Sequence, residues 1–265
     1  MTDDACNNQL AAGASAANRD LSASTTAGQR EAAPVKEAGL GGVGLLDLTG
    51  VHSLDDLVTM GHIRAVGTAL VPEAFLARFT TLPIGGVGDL VVVPTPVGGK
   101  VKVRKGHIQM SGEALARGTG NPADILVVNG RLVITSPAEA VGYQQLIVVG
   151  QLLAPASSRP VLEAALSCLI GEGIFYREPF RLFTADTHFD QAFFELLEGP
   201  LNLVLLGHAS LESDVTVDLL RAKVAEITLV GTLTAPKSLV PFLQLLATTN
   251  VGTIEVEKSR AAHGE

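Results

Sequence analysis

The densest charge in this sequence is a run of cations at Lys100, Lys102, Arg104 and Lys105, interrupted by valines. Successive side chains of a β-strand point to opposite faces, so the first three cations would share one face and the valines the other. The whole chain has 19 Lys and Arg against 27 Asp and Glu, a net charge of −8, which makes this strip a local exception. We predict that the four side chains contact an anionic partner. The alternative is a solvated edge strand whose charges prevent aggregation.

A second group with chemical potential is Asp186, His188 and Asp190, whose side chains are common metal ligands. Metallophosphoesterases begin a two-metal centre with the sequence Asp-x-His. That centre needs further ligands downstream, and only His208 follows here. Because Thr187 lies three residues before Asp190, the segment also fits a capped helix start. We predict the helix start, and keep a metal-dependent hydrolase of α/β type as the alternative function.

Other residues that often carry catalysis form no recognisable motif. The glycine-rich segments 41–44 and 85–88 depart from the G-x-G-x-x-G pattern that binds phosphate between a strand and a helix, so we interpret both as flexible turns. No G-x-S-x-G sequence occurs, and no two histidines are four residues apart; they are His52, His62, His107, His188, His208 and His263. The sequence therefore predicts no catalytic residue, no metal site and no cofactor.

Composition narrows the classes of function. The acidic balance and a pI near 5.3 argue against nucleic-acid binding, which depends on clustered Lys and Arg. The chain is 47% hydrophobic and can bury a core, yet no run approaches the roughly 20 apolar residues of a membrane span. The acidic residues 1–4 are not followed by the apolar segment of a secretory signal. With only two cysteines, Cys6 and Cys168, these observations predict a cytoplasmic protein.

Composition also divides the chain. Residues 1–38 contain Ala, Ser, Thr and Asn with almost no large apolar side chain, so this segment cannot offset the entropy of ordering and is predicted to be a disordered tail. A folded repeat domain is predicted over 39–257, with a hairpin insertion near 94–120 that would present the cationic strip after a Gly98-Gly99 turn. Residues 258–265 are predicted to form a polar C-terminal end.

The folded part repeats a short pattern centred on glycine. Apolar residues recur two and four positions before the glycine and two after it, as Ile227, Leu229 and Leu233 do around Gly231. Such alternation is typical of a β-strand. The same frame, with its weaker copies, is centred at Gly50, Gly67, Pro94, Gly130, Gly150, Glu178, Gly207 and Gly231. A pattern that returns at short intervals indicates a repeat protein.

A helical pattern follows several of these strands. Apolar residues with 3.6-residue spacing occur in residues 75–82, 162–169, 189–197 and 239–246, and Ser158 stands where a helix cap would. One strand-turn-helix unit cannot bury its apolar face, whereas stacked units share a continuous core. We therefore predict an α/β repeat solenoid, with a parallel sheet of eight or nine short strands that are each followed by a turn and a short helix. The alternative is a doubly wound α/β domain.

In its period and its strand-then-helix order, the segment from Leu40 to Val256 resembles leucine-rich-repeat proteins. The repeat of that family has a Leu-x-x-Leu-x-Leu core followed by Asn or Cys, whereas here glycine is central and only Asn129 offers a comparable amide. The resemblance implies a curved sheet that binds another macromolecule. The predicted function is a non-enzymatic protein–protein interaction or scaffold module. Its predicted partner is another protein, with self-association through the solenoid edges as a variant.

Overall fold

The fold is given by a computed structural model of the chain, which describes residues 42–51, 53 and 63–257. The predicted tail over 1–38 and the predicted polar end over 258–265 lie outside the described residues. Within the part that is described, no helix is both long enough and apolar enough to cross a membrane.

Strands and short helices alternate along the described chain. The strands are β1 (Val43–Asp47), β2 (Val66–Pro72), β3 (Val87–Val93), β4 (Val101–Met110), β5 (Ile125–Ile134), β6 (Gln145–Pro155), β7 (Leu166–Tyr176), β8 (Phe180–Phe183), β9 (Thr187–Phe189), β10 (Leu201–Leu211), β11 (Val224–Ala235), β12 (Thr249–Asn250) and β13 (Thr253–Val256). The helices are α1 (Leu76–Phe79), α2 (Gly112–Arg117), α3 (Arg159–Ala165), α4 (Gln191–Glu195), α5 (Val217–Lys223) and α6 (Val240–Leu246). Short 3-10 helices at Glu73–Phe75 and Ala156–Ser158 precede α1 and α3.

The strands belong to three separate sheets rather than to one. The first sheet has the order β1-β2-β3 and the second β4-β5-β6-β7. In the third sheet, β10 and β11 are flanked by β8 and β9 on one side and by β12 and β13 on the other. The prediction of a solenoid with one sheet of eight or nine strands is therefore wrong. The chain leaves its sheet after β3 and after β7, because the next strand packs on the face of the preceding sheet instead of pairing with its edge. Val101 and Val103 of β4 pack against the first sheet in this way, and Leu182 of β8 packs against the second.

The helical spacing in the sequence locates the helices but not all of their ends. Residues 75–82 and 239–246 contain α1 and α6, which confirms the pattern predicted there. Residues 162–169 are only partly helical, because α3 ends at Ala165 and β7 begins at once. Cys168 therefore lies in a strand, where it is buried between two sheets.

The capping residues differ from those predicted. Asp190 caps α4 by accepting a hydrogen bond from the Phe193 N–H at 2.8 Å, whereas Thr187 belongs to β9. The predicted helix start is thus present, and the assignment of its cap to Thr187 is wrong. Ser158 precedes α3, but its hydroxyl accepts a hydrogen bond from the Ala138 N–H of another loop at 2.7 Å and does not cap the helix.

Glycines of neighbouring strands are aligned in a column across the second sheet. Gly106, Gly130, Gly150 and Gly171 share one row of the register. The last three have φ between 124° and 135°, in the left-handed region that glycine enters readily. A Cβ on Gly150 would lie 2.0 Å from the carbonyl oxygen of Gly130, so a side chain cannot be accommodated there. Every strand of this sheet is therefore bent at a glycine.

Related columns cross the other two sheets. Gly207 and Gly231 are aligned in the third sheet. In the first sheet, a Cβ on Gly67 would lie 2.7 Å from the carbonyl oxygen of Gly44, and a Cβ on Gly88 would meet Gly67 in the same way. Gly44 and Gly88 lie within β1 and β3, so the interpretation of their segments as flexible turns is wrong for these two residues.

The three sheets pack face to face in a staggered arrangement. The half of the first sheet after its glycines contacts the half of the second sheet before its glycines, through Leu70, Val91, Val93, Ile125, Val127, Ile147 and Val149. The second half of the second sheet contacts the first half of the third, through Val133, Leu153, Ile174, Tyr176, Val204, Leu206 and Val230. The opposite face of each sheet packs against helices. The core thus consists of apolar strand faces buried against one another and under the helices.

The half of the third sheet that follows its glycines has polar residues where the second sheet has apolar ones. The register places Ser210, Thr234 and Glu255 in one row there, three residues after the glycine of each strand. In the second sheet the same offset holds the buried residues Val133, Leu153 and Ile174. A polar row is better left in contact with water than covered by another sheet, which explains why the stacking of the described sheets ends here.

Candidate functional site

The cationic strip predicted from the sequence lies on β4, the first strand of the second sheet. β4 is ten residues long and pairs in parallel with β5. The hairpin predicted near 94–120 is wrong, because a parallel partner is reached by a crossover and this one contains α2. Gly99 reflects a close approach instead, since its Cβ would lie 2.0 Å from the carbonyl oxygen of Ala123. In the described part of the chain, the outer edge of β4 is unpaired.

Side chains at the start of β4 alternate between two faces, as predicted. Val101 and Val103 pack into the cluster between the first and second sheets. Lys102 and Arg104 therefore lie on the opposite face, and the same alternation returns Lys105 to the valine face. Arg104 and Lys105 are both exposed. Cations thus stand on either side of the free edge.

The beginning of the strip is fixed by Asp124, a buried carboxylate directly before β5. One of its oxygens accepts a hydrogen bond from the Lys100 backbone N–H at 2.8 Å, and the other accepts one from the Thr119 hydroxyl. The Ile125 N–H donates in turn to the Lys100 carbonyl at 3.0 Å. These contacts hold Lys100 against β5 at the point where β4 begins.

The same contacts hold the pKa of Asp124 below its ordinary value of 3.8. The Thr119 hydroxyl contributes most, followed by the Lys100 N–H and then by the charges of Lys102 and Lys100. Asp124 is therefore ionised at neutral pH, where its charge offsets part of the charge of the strip.

The remaining cations have little compensation. Arg159, Arg177 and Arg221 form ion pairs with carboxylates, whereas among the described residues no ion pair involves a cation of the strip. An exposed cation without an ion pair keeps its charge available to an outside group, within the limits of screening by salt. Arg104 and Lys105 meet this condition.

Backbone groups of β4 are also available at the free edge. The carbonyl groups of Lys100 and Met110 accept hydrogen bonds from the two ends of β5, at 3.0 and 2.9 Å. Because the N–H and C=O groups of successive residues point to opposite sides of a strand, the odd-numbered residues direct theirs away from β5. Lys105 and His107 are among them. A further strand could therefore form a regular ladder here.

The glycine column has an open place at the same edge. The place next to Gly130 is filled by the carbonyl oxygen of Gly106, which would lie 2.2 Å from a Cβ on Gly130. Next to Gly106 itself, no atom of a described residue lies within 4 Å of the corresponding position. Gly106 is exposed and has a φ of 87°, so β4 keeps the bend of the sheet although no described strand lies on its outer side.

The residues of the predicted metal alternative have separate roles. His188 lies on β9, and its Nδ1 is 2.6 Å from Ser210 Oγ on β10. Asp190 caps α4, and Asp186 is exposed between β8 and β9. Over residues 42–51, 53 and 63–257, no group of three or more His, Cys, Asp or Glu side chains could hold a metal. Among the described residues, no carboxylate hydrogen-bonds the His188 imidazole and orients it, as the acid of a catalytic triad would.

The three described histidines belong to two different sheets. His107, His188 and His208 lie on three different strands, and the other three histidines lie outside the described residues. His107 is the one within the cationic edge, directly after Gly106. It is exposed.

Sequence reasoning missed Gly106 and Asp124. Gly106 falls outside the repeat frame because the positions two and four before it are Arg104 and Lys102 rather than apolar residues. Asp124 ends the segment Asn121-Pro122-Ala123-Asp124, whose turn composition directly before an apolar strand could have indicated a fixed strand start.

No protein-family model, curated protein or solved structure matches the chain. The resemblance to leucine-rich-repeat proteins stays a prediction, since no relative tests it.

Proposed function

We propose that the protein is a non-enzymatic protein-interaction module whose binding surface is the free edge of β4. The observation that carries the proposal is an unpaired strand edge of ten residues with exposed cations and an open place in its glycine column. A partner segment that adds to this edge gains backbone hydrogen bonds along its length. Acidic side chains on the segment would pair with Arg104 and Lys105, which supplies specificity and a faster encounter.

Charged edge strands can also protect a protein from unwanted pairing. Two features of β4 distinguish a binding edge from a protective one. Protective edges are commonly short or interrupted, whereas β4 is continuous over ten residues. No described loop or helix pairs with its outer side, and Arg104, Lys105, Gly106 and His107 are all exposed. Both features favour binding over protection.

The metal-dependent hydrolase is not supported by a comparable observation. Its three residues are a cap, a strand residue and an exposed residue between strands, as described above. A cytoplasmic location belongs to the proposal and rests on the sequence alone.

The proposal is tested with a fluorescein-labelled peptide in which Glu and Val alternate on either side of a central Gly. Fluorescence anisotropy should show binding to the full chain that weakens as salt is added, because exposed charges are screened. The double variant Arg104→Glu/Lys105→Glu should lose this binding, since it places like charges beside the peptide.

The matched control is Arg64→Glu/Lys237→Glu, which reverses two exposed cations away from β4. This variant should bind the peptide as wild type does. A second peptide with Lys in place of Glu should bind neither wild type nor control. Equal loss in both double variants would mean that net charge alone governs binding, and the proposal would fail.

A further inference from the structure

Within the described part of the chain, the opposite edge of the second sheet is unpaired as well. β7 is eleven residues long and, among the described strands, pairs with β6. Gly171, Glu172 and Gly173 at its centre are exposed. Like β4, β7 is bent at the column glycine, where Gly171 has a φ of 124°. The second sheet therefore has two long free edges with a bend at the same level.

We propose that β7 of a second copy of this chain adds in parallel to β4, so that the second sheets of successive copies become continuous. This inference rests on the proposed function of β4 as a binding edge, and it names the partner.

The bend determines which strand can pair with β4 along its whole length. A straight strand would follow β4 only before or only after Gly106. β7 has the matching bend, and in the register of the column its Gly171 would stand beside Gly106. The Gly171 carbonyl oxygen would then occupy the open place next to Gly106, as the Gly106 carbonyl oxygen does next to Gly130.

Side chains of the two edges are complementary in this register. His107 and Glu172 stand at opposite ends of one row across the sheet, so a second copy would bring its Glu172 beside His107 and close to Lys105. Phe175 would stand beside Met110 in the same way. Both of these side chains are half-buried at the margin of the apolar cluster under α2 and α3. Pairing would cover them and would place a carboxylate among the cations.

Two different edges meet in this contact, so the interface is heterologous. Each added copy leaves one free β4 and one free β7 at the ends, and the assembly does not close unless the rotation between copies closes a ring. The average mass should therefore increase continuously with protein concentration.

Sedimentation velocity on the full chain at increasing concentration measures this association. Wild type should show a growing series of species. Glu172→Lys puts a cation beside His107 and Lys105 and should abolish the series, whereas Glu139→Lys, a reversal of another exposed carboxylate, should not. Adding His107→Glu to Glu172→Lys should restore the series, because opposite charges again stand beside each other.

Gln109→Pro tests the backbone contribution. The N–H of residue 109 points to the free edge, so proline removes a donor that the added strand needs without breaking a bond to β5. The series should be lost while the thermal denaturation curve remains cooperative. The acidic peptide should also disperse the wild-type assembly, because it competes for β4.

A wild-type chain that stays monomeric at every concentration overturns the inference, and so does association that persists in both Glu172→Lys and Gln109→Pro. Binding of the acidic peptide to such a chain would leave the proposed function standing. Loss of peptide binding as well would overturn both.

Discussion

The second and third sheets are built from the same unit and differ at their edges. Both have long central strands bent at aligned glycines, Gly130 and Gly150 in one and Gly207 and Gly231 in the other. In the second sheet the outer strands, β4 and β7, are continuous. In the third sheet each outer strand is split at the level of the glycine column, into β8 and β9 on one side and β12 and β13 on the other.

The residue at the bend explains the first of these splits. β4 and β7 have glycine there, whereas the register places Ala185 beside Gly207, between β8 and β9. A residue with a side chain enters the left-handed region only with strain, so the strand breaks. The second split coincides with a turn in which the Asn250 side chain accepts a hydrogen bond from the Gly252 N–H at 3.0 Å. Short edge pieces are poor templates, so of these two sheets the second is the one whose described edges are open to addition.

The largest effect on stability is expected for a glycine inside the column, compared with the glycine at its edge. Gly150→Ala would place a Cβ 2.0 Å from the Gly130 carbonyl oxygen and would force a side chain to positive φ. We expect a loss of more than about 4 kcal/mol in the free energy of unfolding, and a Tm lowered by roughly 10 °C or more. Gly106→Ala meets no neighbouring atom and carries only its φ strain, about 1–3 kcal/mol. Equal losses in thermal denaturation would show that contact with the next strand is not what requires glycine.

The next prediction compares the stability of a buried sheet face with that of the polar half of the third sheet. Leu153 is fully buried between the second and third sheets, and Thr234 has the equivalent offset on the polar half of the third sheet. Leu153→Ala should cost about 2–5 kcal/mol because it removes buried apolar contacts and leaves a cavity. Thr234→Ala should change stability by less than about 0.5 kcal/mol, as substitutions away from a core do. Urea denaturation measures both, and a comparable loss for Thr234→Ala would mean that the polar half is a packed face.

The attachment of β4 to β5 should depend on pH. The pKa of Asp124 is lower in the folded protein than its ordinary value of 3.8. The ionised carboxylate therefore stabilises the fold at pH values above 3.8. That contribution is lost as the pH falls below 3.8 through the lowered pKa. Asp124→Asn should therefore have a lower Tm than wild type at neutral pH, and the difference should shrink in acid. A difference that is constant across this range would exclude a role for the charge.

The smallest effect is expected at His188. The His188 side chain is exposed and its Nδ1 contacts the Ser210 hydroxyl. Because substitutions of exposed residues have small effects, His188→Ala should change the free energy of unfolding by less than about 0.5 kcal/mol. Metal analysis of purified wild type and variant should give the same content. One equivalent of a divalent metal in wild type that is lost in the variant would support the metal-dependent hydrolase and would place the functional site on the third sheet.

The positions of the central strands could be predicted from the sequence, because strands buried on both faces keep their apolar residues at fixed offsets from Gly130, Gly150, Gly207 and Gly231. The number of sheets could not. The sequence pattern of a strand-turn-helix unit is the same whether the next strand joins the same sheet or begins another. The absence of a helix after β3 and after β7 is no signal either, because no helix lies between β5 and β6, which are neighbours in the second sheet.

The candidate site was predictable in part. Alternation identified the faces of Lys102 and Arg104, since it depends only on strand geometry. The hairpin was wrong because Gly98-Gly99 is a local turn signal, while the need for Gly99 comes from Ala123 in the next connection. Asp124 reaches Lys100 across 24 residues of chain, and no local pattern encodes such a contact.

The order of the strands also bears on how the chain folds. In the second sheet, β5, β6 and β7 each pair with the strand that directly precedes them in sequence. Parallel sheets usually form slowly because distant segments must meet, but here each pairing closes only a short connection, which contains one short helix or none. A strand leaving the ribosome would find its hydrogen-bonding partner already synthesised, so the sheet can grow by one strand at a time from β4 to β7.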